Sequence, residues 1–201
     1  IRFLSDLVTR GIQTTNGFEI GTASGKTFHA KKLIIATGIR DLLPQIAGLA
    51  ECWGISVLHC PYCHGYEVRY KATGILSNGD EGFEFAQLIS HWTDDLTVFT
   101  NGKALFNPDQ LTILEKHQIR IVETPIEKLE HTEGRLQYIR FTDGKSIPIM
   151  ALYARAPFEQ QIDLHKTLSY ALTDDGYIQV DAFQKTTIPH VFACGDNTTR
   201  M

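Results

Sequence analysis

The stretch from Thr73 to Phe99 most narrows the folds open to this chain of 201 residues. Thr73 to Ser77 reads as a short apolar strand, and Leu96 to Phe99 as a second one. Between them Glu81 to Trp92 reads as a helix, with Phe85, Leu88, Ile89 and Trp92 on its apolar face. Strand, helix and strand in that order form a βαβ unit, which implies a parallel sheet. The turn opening the helix is Ser77-Asn78-Gly79-Asp80-Glu81-Gly82, a degraded G-x-G-x-x-G fingerprint. Gly79 and Gly82 hold the second and third glycine positions, and Ser77 replaces the first, where a dinucleotide needs the closest backbone approach. After Phe99 the fingerprint calls for an acidic residue on a ribose or arginines on a 2′-phosphate, but the chain reads Thr100-Asn101-Gly102.

Just upstream lies His59-Cys60-Pro61-Tyr62-Cys63-His64-Gly65-Tyr66-Glu67. If a helix starts here, Cys60 is its N-cap and Pro61 its first residue, where a missing N–H costs nothing. The free N–H groups then point at the sulfurs. Cys60, Cys63, His64 and Glu67 stand at offsets 0, 3, 4 and 7, one face of a helix. A core-facing stripe would be apolar, so packing does not account for two thiols, an imidazole and a carboxylate there. A Cys-x-x-Cys pair closes a small disulfide ring that thiolates reopen, and an imidazole exchanges protons with thiols near neutral pH. Cys60, at the helix start, is expected to be the first thiol alkylated. Two other readings stand beside the redox one: half of a zinc site completed by Cys52 or His59, or a purely structural pair. No second ligand pair at finger spacing is present, and no metal is expected.

The rest of the chain falls into blocks on either side. Residues 1–50 alternate apolar runs and turns: Ile1 to Leu4, Leu7 to Gln13, Asn16-Gly17, Phe18 to Thr22, Ser24-Gly25 and Thr27 to Ala30 read as a small strand meander. Lys31 to Gly38 then reads as a buried strand ending on Ala36-Thr37-Gly38, where a backbone can approach a ligand, and Pro44 to Gly48 as a linker. Asn107-Pro108 starts a helix through His117, Ile119 to Val122 is a strand, and Leu136 to Phe141 with Ile147 to Leu152 a hairpin. Beyond it come a polar helix near Gln160 to Leu172, a strand Tyr177 to Val180, and Val191-Phe192-Ala193-Cys194-Gly195-Asp196. That last strand places a carboxylate at its C-terminal end, where open α/β sheets bind ligands.

The 19 Lys and Arg residues form no basic run and the net charge is −4, which disfavours nucleic acid and anionic membranes. No stretch approaches a membrane span. Four cysteines and no signal-peptide pattern fit a reducing cytoplasm. The chain opens on Ile1 and closes on Thr199-Arg200-Met201, so both ends read as cuts in a longer protein.

In their order, Ile34-Ile35-Ala36-Thr37-Gly38, Cys60-Pro61-Tyr62-Cys63, the glycine-containing βα turn and Val191 to Asp196 resemble the thioredoxin reductase-like FAD/NAD(P)-dependent pyridine nucleotide-disulfide oxidoreductases. The Cys-x-x-Cys-His-Gly-Tyr-Glu form resembles the branch that includes dithiol oxidases. The resemblance implies an α/β, FAD/NAD(P)-binding Rossmann-like two-domain fold: flavin-domain pieces at 1–50 and 152–201, with a nucleotide-type domain at 51–151 carrying the cysteines. It implies a cytoplasmic flavoprotein, a homodimer when intact, that passes electrons between FAD and a Cys60–Cys63 disulfide. Its partner would be a small dithiol or disulfide, or a thioredoxin-like protein. Cys63 would face the flavin and Cys60 would attack or release the substrate; His64 stands where the family commonly has a proton-handling Asp, with Glu67 as its orienting partner. Ala36, Thr37, Gly38, Gly195 and Asp196 would hold FAD, Asp196 through the ribityl chain, and Gly79 and Gly82 would belong to a nucleotide site. The glycine-rich turn for the ADP half of FAD would precede this chain, so the 201 residues alone are expected to bind FAD poorly. The electron donor, NADPH or a dithiol, stays open, as do an oxygen-dependent dithiol oxidase and a non-catalytic zinc-binding or redox-sensing module.

Overall fold

A computed structural model describes residues 1–199; Arg200 and Met201, part of the expected C-terminal cut, lie outside the described residues. Two compact units are present, residues 1–42 with 158 onward, and residues 43–157.

In the first unit, β1 (Val8–Thr14), β2 (Gly17–Thr22) and β3 (Thr27–Ala30) form the expected antiparallel meander. Gly17 is required there: its φ is +135°, and a Cβ would lie 2.3 Å from the Ala30 carbonyl oxygen of β3. Ile1 to Leu4, expected as a strand, pairs with nothing, and Ile1, Phe3 and Leu4 are exposed. The next strands are β4 (Leu33–Ile35) and β5 (Ile39–Asp41). Only Ile35 of β4 is buried and Ile34 is exposed, so this strand is covered on one face rather than two.

The second unit runs through α1 (Leu49–Cys52), β6 (Val57–Leu58), α2 (Pro61–Val68), β7 (Thr73–Leu76), α3 (Gly79–Ile89), β8 (Leu96–Phe99), α4 (Pro108–Lys116) and β9 (Arg120–Val122). It continues with β10 (Ile126–Thr132), β11 (Arg135–Phe141), β12 (Ser146–Pro148) and β13 (Ala151–Ala154). A parallel sheet in the order β6-β13-β7-β8-β9 is its centre, and β10 to β12 form a separate antiparallel sheet. Alternation along the strands sends side chains to both faces. Phe99 and Leu152 join Leu49, Cys52 and Phe141 in one cluster, while Val98 and Tyr153 join Phe85, Ile89 and Leu114 of α3 and α4 in another. A reciprocal capping box starts α4: Asn107 Oδ1 accepts from the Gln110 backbone N–H, and Gln110 Oε1 accepts from that of Asn107, both at 2.9 Å.

Two features depart from expectation. The run Ile147 to Leu152 is not one hairpin strand: β12 pairs with β11, while β13 crosses into the parallel sheet between β6 and β7. An apolar run reports burial but not which neighbour provides it. β10 escaped the sequence because its register against β11 slips twice, at Ile126/Lys128 and Glu130/His131, which breaks the two-residue alternation. The compact units divide at 42/43 and 157/158, with Leu49 and Cys52 packed in the second unit's core and β13 completing its sheet.

Back in the first unit, β14 (Phe158–Gln160) pairs antiparallel with β5, α5 (His165–Leu168) packs on β1, and β15 (Val191–Ala193) runs parallel to β4. The expected polar helix from Gln160 to Leu172 shrinks to α5: residues up to Gln160 are claimed by strand pairing, and Ser169 turns left-handed at φ +63°. Tyr177 to Val180 makes only the isolated bridges Leu172–Ile178 and Val180–Thr186. Among the described residues no helix is long and apolar enough to cross a membrane.

Candidate functional site

Cys60 is the N-cap of α2, in extended conformation, and Pro61 is the first helical residue. The Cys60 sulfur accepts a hydrogen bond from the backbone N–H of Cys63 at 3.3 Å. The Cys63 thiol points at the same sulfur, with Sγ to Sγ 2.8 Å, and both cysteines are reduced. That hydrogen bond, then partial desolvation and the neighbouring sulfur's charge, push the Cys63 thiol above the ordinary range for cysteine. Cys63 therefore keeps its proton while the Cys60 sulfur receives hydrogen bonds.

His64 follows on the same helix, its backbone N–H reaching the Cys60 carbonyl at 3.3 Å. Glu67 lies one turn further on and is exposed. Among the described residues no hydrogen bond or ion pair joins the His64 and Glu67 side chains to each other or to the sulfurs, so the four groups share an element without forming a closed relay. The helix is held from beneath by Gly65: a Cβ there would meet the Trp92 indole at 2.7 Å, so only glycine lets α2 settle onto that ring. Arg69 closes the helix, donating to the Tyr66 carbonyl at 2.5 Å and stacking on the Tyr66 ring at 3.6 Å. Cys52, which a zinc site would recruit, is buried in an apolar cluster. Among the described residues no group of three His, Cys, Asp or Glu side chains gathers where it could hold a metal.

At the start of α3, Gly79 has φ +56°, and Gly82 lets the helix approach the Ser77 carbonyl group, which a Cβ would meet at 3.1 Å. The donors that would cradle a pyrophosphate are occupied from within. Asn78 Oδ1 accepts the backbone N–H groups of Gly79 and Leu105, both at 2.9 Å, and its Nδ2 donates to the Lys103 carbonyl. The first turn of α3 carries Asp80 and Glu81, opposite to what an anion needs at a helix N-terminus. Glu81 accepts from Ser77 Oγ at 3.2 Å and pairs with Arg155 at 3.1 Å; Asp80 accepts from Gln110 Nε2 at 2.7 Å. These residues do not fit a nicotinamide dinucleotide's phosphates.

The other candidate residues meet in the first unit, at the C-terminal ends of the parallel strands β4 and β15. Ala36-Thr37-Gly38 leaves β4 and Cys194-Gly195-Asp196 leaves β15, with Gly38 at φ +65° and Gly195 at φ +90°. A Cβ on either glycine would meet nothing within 4 Å, so both backbones border open space. Asp196 is exposed. Asn197 is wholly buried beside it; its Nδ2 donates to the Ile35 carbonyl at 3.0 Å, and its Oδ1 is buried without a partner among the described residues. An open-backed pair of strand ends, a free carboxylate and an unpaired buried acceptor fit the hydroxyl-bearing chain and ring of a flavin. Asn197 was missed in the sequence, and its place next to Gly195-Asp196 was the only signal for it.

The profile of the family described as pyridine nucleotide-disulphide oxidoreductase matches residues 5–201. The chain belongs to this family. Its relatives include a protein named thioredoxin reductase tcpT from Claviceps purpurea (strain 20.1), 29% identical over 202 residues that cover 96% of this chain and 62% of the relative. Among solved structures, the oxidoreductase from Agrobacterium tumefaciens is 30% identical with a TM-score of 0.85, over 98% of this chain and 66% of that one. HlmI is 27% identical with a TM-score of 0.86, over 98% and 63%. The chain thus spans less than two thirds of these relatives. The fold they share with it is the thioredoxin reductase-like α/β fold, and members of this family generally bind FAD and NAD(P)H.

Proposed function

We propose that this chain carries the dithiol centre of a flavin-dependent thiol–disulfide oxidoreductase working as a dithiol oxidase. The observation that carries the reading is the pair of sulfurs at the N-cap of α2, with Cys63 donating to Cys60 across 2.8 Å. Residues 1–42 with 158 onward are read as the flavin-holding unit, through Ala36, Thr37, Gly38, Gly195, Asp196 and the unpaired Asn197; residues 43–157 are read as a nucleotide-type domain serving mainly as a platform for the cysteines. A bound flavin would supply a two-electron acceptor for the dithiol.

The residues divide the exchange as follows. A thiolate of a small dithiol attacks Cys60 of the Cys60–Cys63 disulfide; the S–S bond breaks and Cys63 leaves as a thiolate that His64 helps to protonate. The second substrate thiolate then attacks its own mixed-disulfide sulfur and releases Cys60. The substrate leaves as a disulfide, having lost two electrons and two protons, and the protein holds the dithiol seen here. Closing the Cys60–Cys63 disulfide again gives up two electrons and two protons, which a bound flavin would accept, with oxygen as the terminal acceptor.

The acidic, self-capped start of α3 favours a dithiol over NADPH as electron donor. Anaerobic stopped-flow mixing of the flavin-loaded protein with each donor is the test. Dithiols are expected to bleach the flavin far faster than NADPH does; rapid, saturable bleaching by micromolar NADPH would overturn the oxidase reading and return the protein to the reductases.

A further inference from the structure

We propose that Tyr153 is a positioning residue for the cysteine pair: its enclosed hydroxyl is the hydrogen-bond donor toward which the Cys60 sulfur turns when that sulfur carries negative charge. The proposal rests on the reading of Cys60 and Cys63 as a redox couple.

Tyr153 stands in β13 between Leu58 of β6 and Ile75 of β7. Only His59 separates Leu58 from Cys60, so the strand beside Tyr153 leads straight into the N-cap of α2. The side chain is 0% exposed. Phe85 of α3 meets its ring edge-on at 6.0 Å and 78°, and Val68, the last residue of α2, packs against the same cluster. Inside this enclosure the hydroxyl has no hydrogen-bond partner among the described residues. An orphaned buried hydroxyl destabilises a fold, and phenylalanine would fill the same space without that penalty. A tyrosine here calls for a state in which its hydroxyl is used.

The surroundings say which state. Burial, followed by the charges of Cys60 and Glu67, pushes the Tyr153 phenol up to about 12. It therefore holds its proton at any working pH, and Cys60 and Glu67 are the two potential anions whose charge it feels. Of the two, Cys60 changes charge during disulfide exchange, becoming a thiolate when the mixed disulfide with the substrate opens and releases it. The other titratable groups around the pair are His59 ahead of α2 and Cys63, His64 and Glu67 on it; from α3, Glu81 is already engaged with Ser77 and Arg155.

The test is the pH dependence of Cys60 alkylation by iodoacetamide in the reduced chain, followed peptide by peptide, for the parent and for Tyr153→Phe. Below the alkylation midpoint, Cys60 is expected to react about three- to tenfold more slowly in the variant, with Cys194 unchanged as internal control. Superimposable Cys60 profiles would overturn the proposal, as would equal slowing of Cys194. Site-specific 3-fluorotyrosine at position 153, equal in shape and a stronger donor, keeps the test available if Tyr153→Phe unfolds; it is expected to move the Cys60 profile toward acid, and no movement refutes the role. Diamide oxidation of the same samples tests the underlying redox reading separately, since a pair that never closes a disulfide refutes that reading and leaves the thiolate profile interpretable.

Discussion

Cys63 hydrogen-bonds through its thiol to the Cys60 sulfur while its own backbone N–H donates to the same atom. Two donors from one residue therefore converge on Cys60, which makes the two cysteines chemically unequal. The inequality comes from the helix: the N-cap position places Cys60 among N–H groups, and the residue three positions on inherits the donor role.

Reactivity should follow that asymmetry. With its pKa raised, Cys63 gives up its proton at higher pH than an unperturbed thiol does, so Cys60 should be alkylated first. Cys60→Ala removes the largest cause of the shift and should move Cys63 labelling toward lower pH, speeding it about three- to tenfold near neutrality. Peptide-resolved mass spectrometry of the reduced protein measures both, and labelling of Cys63 ahead of Cys60 in the parent would contradict the geometry.

Gly65→Ala should loosen the seat of α2. The added methyl would press on the Trp92 ring atoms at 2.7 to 3.0 Å, well inside contact distance. Overpacking of this kind costs about 1–3 kcal/mol. Denaturant unfolding is the measurement, and Trp92→Leu in the same chain should recover part of the loss; an unaffected midpoint for Gly65→Ala would mean that α2 does not rest on Trp92.

Asn197→Ala should weaken the first unit by about 0.5–1.5 kcal/mol, the usual net worth of one hydrogen bond. The bond lost is Nδ2 to the Ile35 carbonyl, which ties the loop after β15 to the end of β4. The Ile35 carbonyl keeps its second donor, the Cys194 backbone N–H at 3.0 Å, so the loss should stay modest. Thermal unfolding of parent and variant compares them directly.

Asp181 carries a pH signature. Backbone N–H groups of Lys185, first, and Phe183 hydrogen-bond its carboxylate and lower its pKa. A depressed folded pKa contributes stability that is fully present above the unfolded carboxylate range and is lost as pH falls through the folded value. The parent should therefore melt higher than Asp181→Asn at neutral pH, and the two should converge in strong acid. Melting curves between neutral pH and pH about 2 check this, and a constant gap across that range would remove the carboxylate from the account.

What the sequence determined by itself was local. Cys60 as N-cap with Pro61 behind it, Asn107-Pro108 opening α4, and the strand, turn and helix from Thr73 to Ile89 are set by hydrogen bonds and apolar spacing within a few residues, so they were legible without a structure. So was the pairing of the two sulfurs, because three positions along a helix brings them to one side. Tertiary structure alone decided the rest. Whether Ala151 to Ala154 continues a hairpin or enters a parallel sheet depends on Val57 to Leu58 and Thr73 to Leu76, far away in the chain. That choice buries the Tyr153 hydroxyl beside the strand that leads into the cysteine helix. Asn197 likewise becomes a buried, half-satisfied side chain only because Ile35, 162 residues earlier, forms the neighbouring strand. The spacing of apolar and polar residues records that a side chain will be covered; which atoms cover it, and whether they can hydrogen-bond, is settled only when distant segments meet.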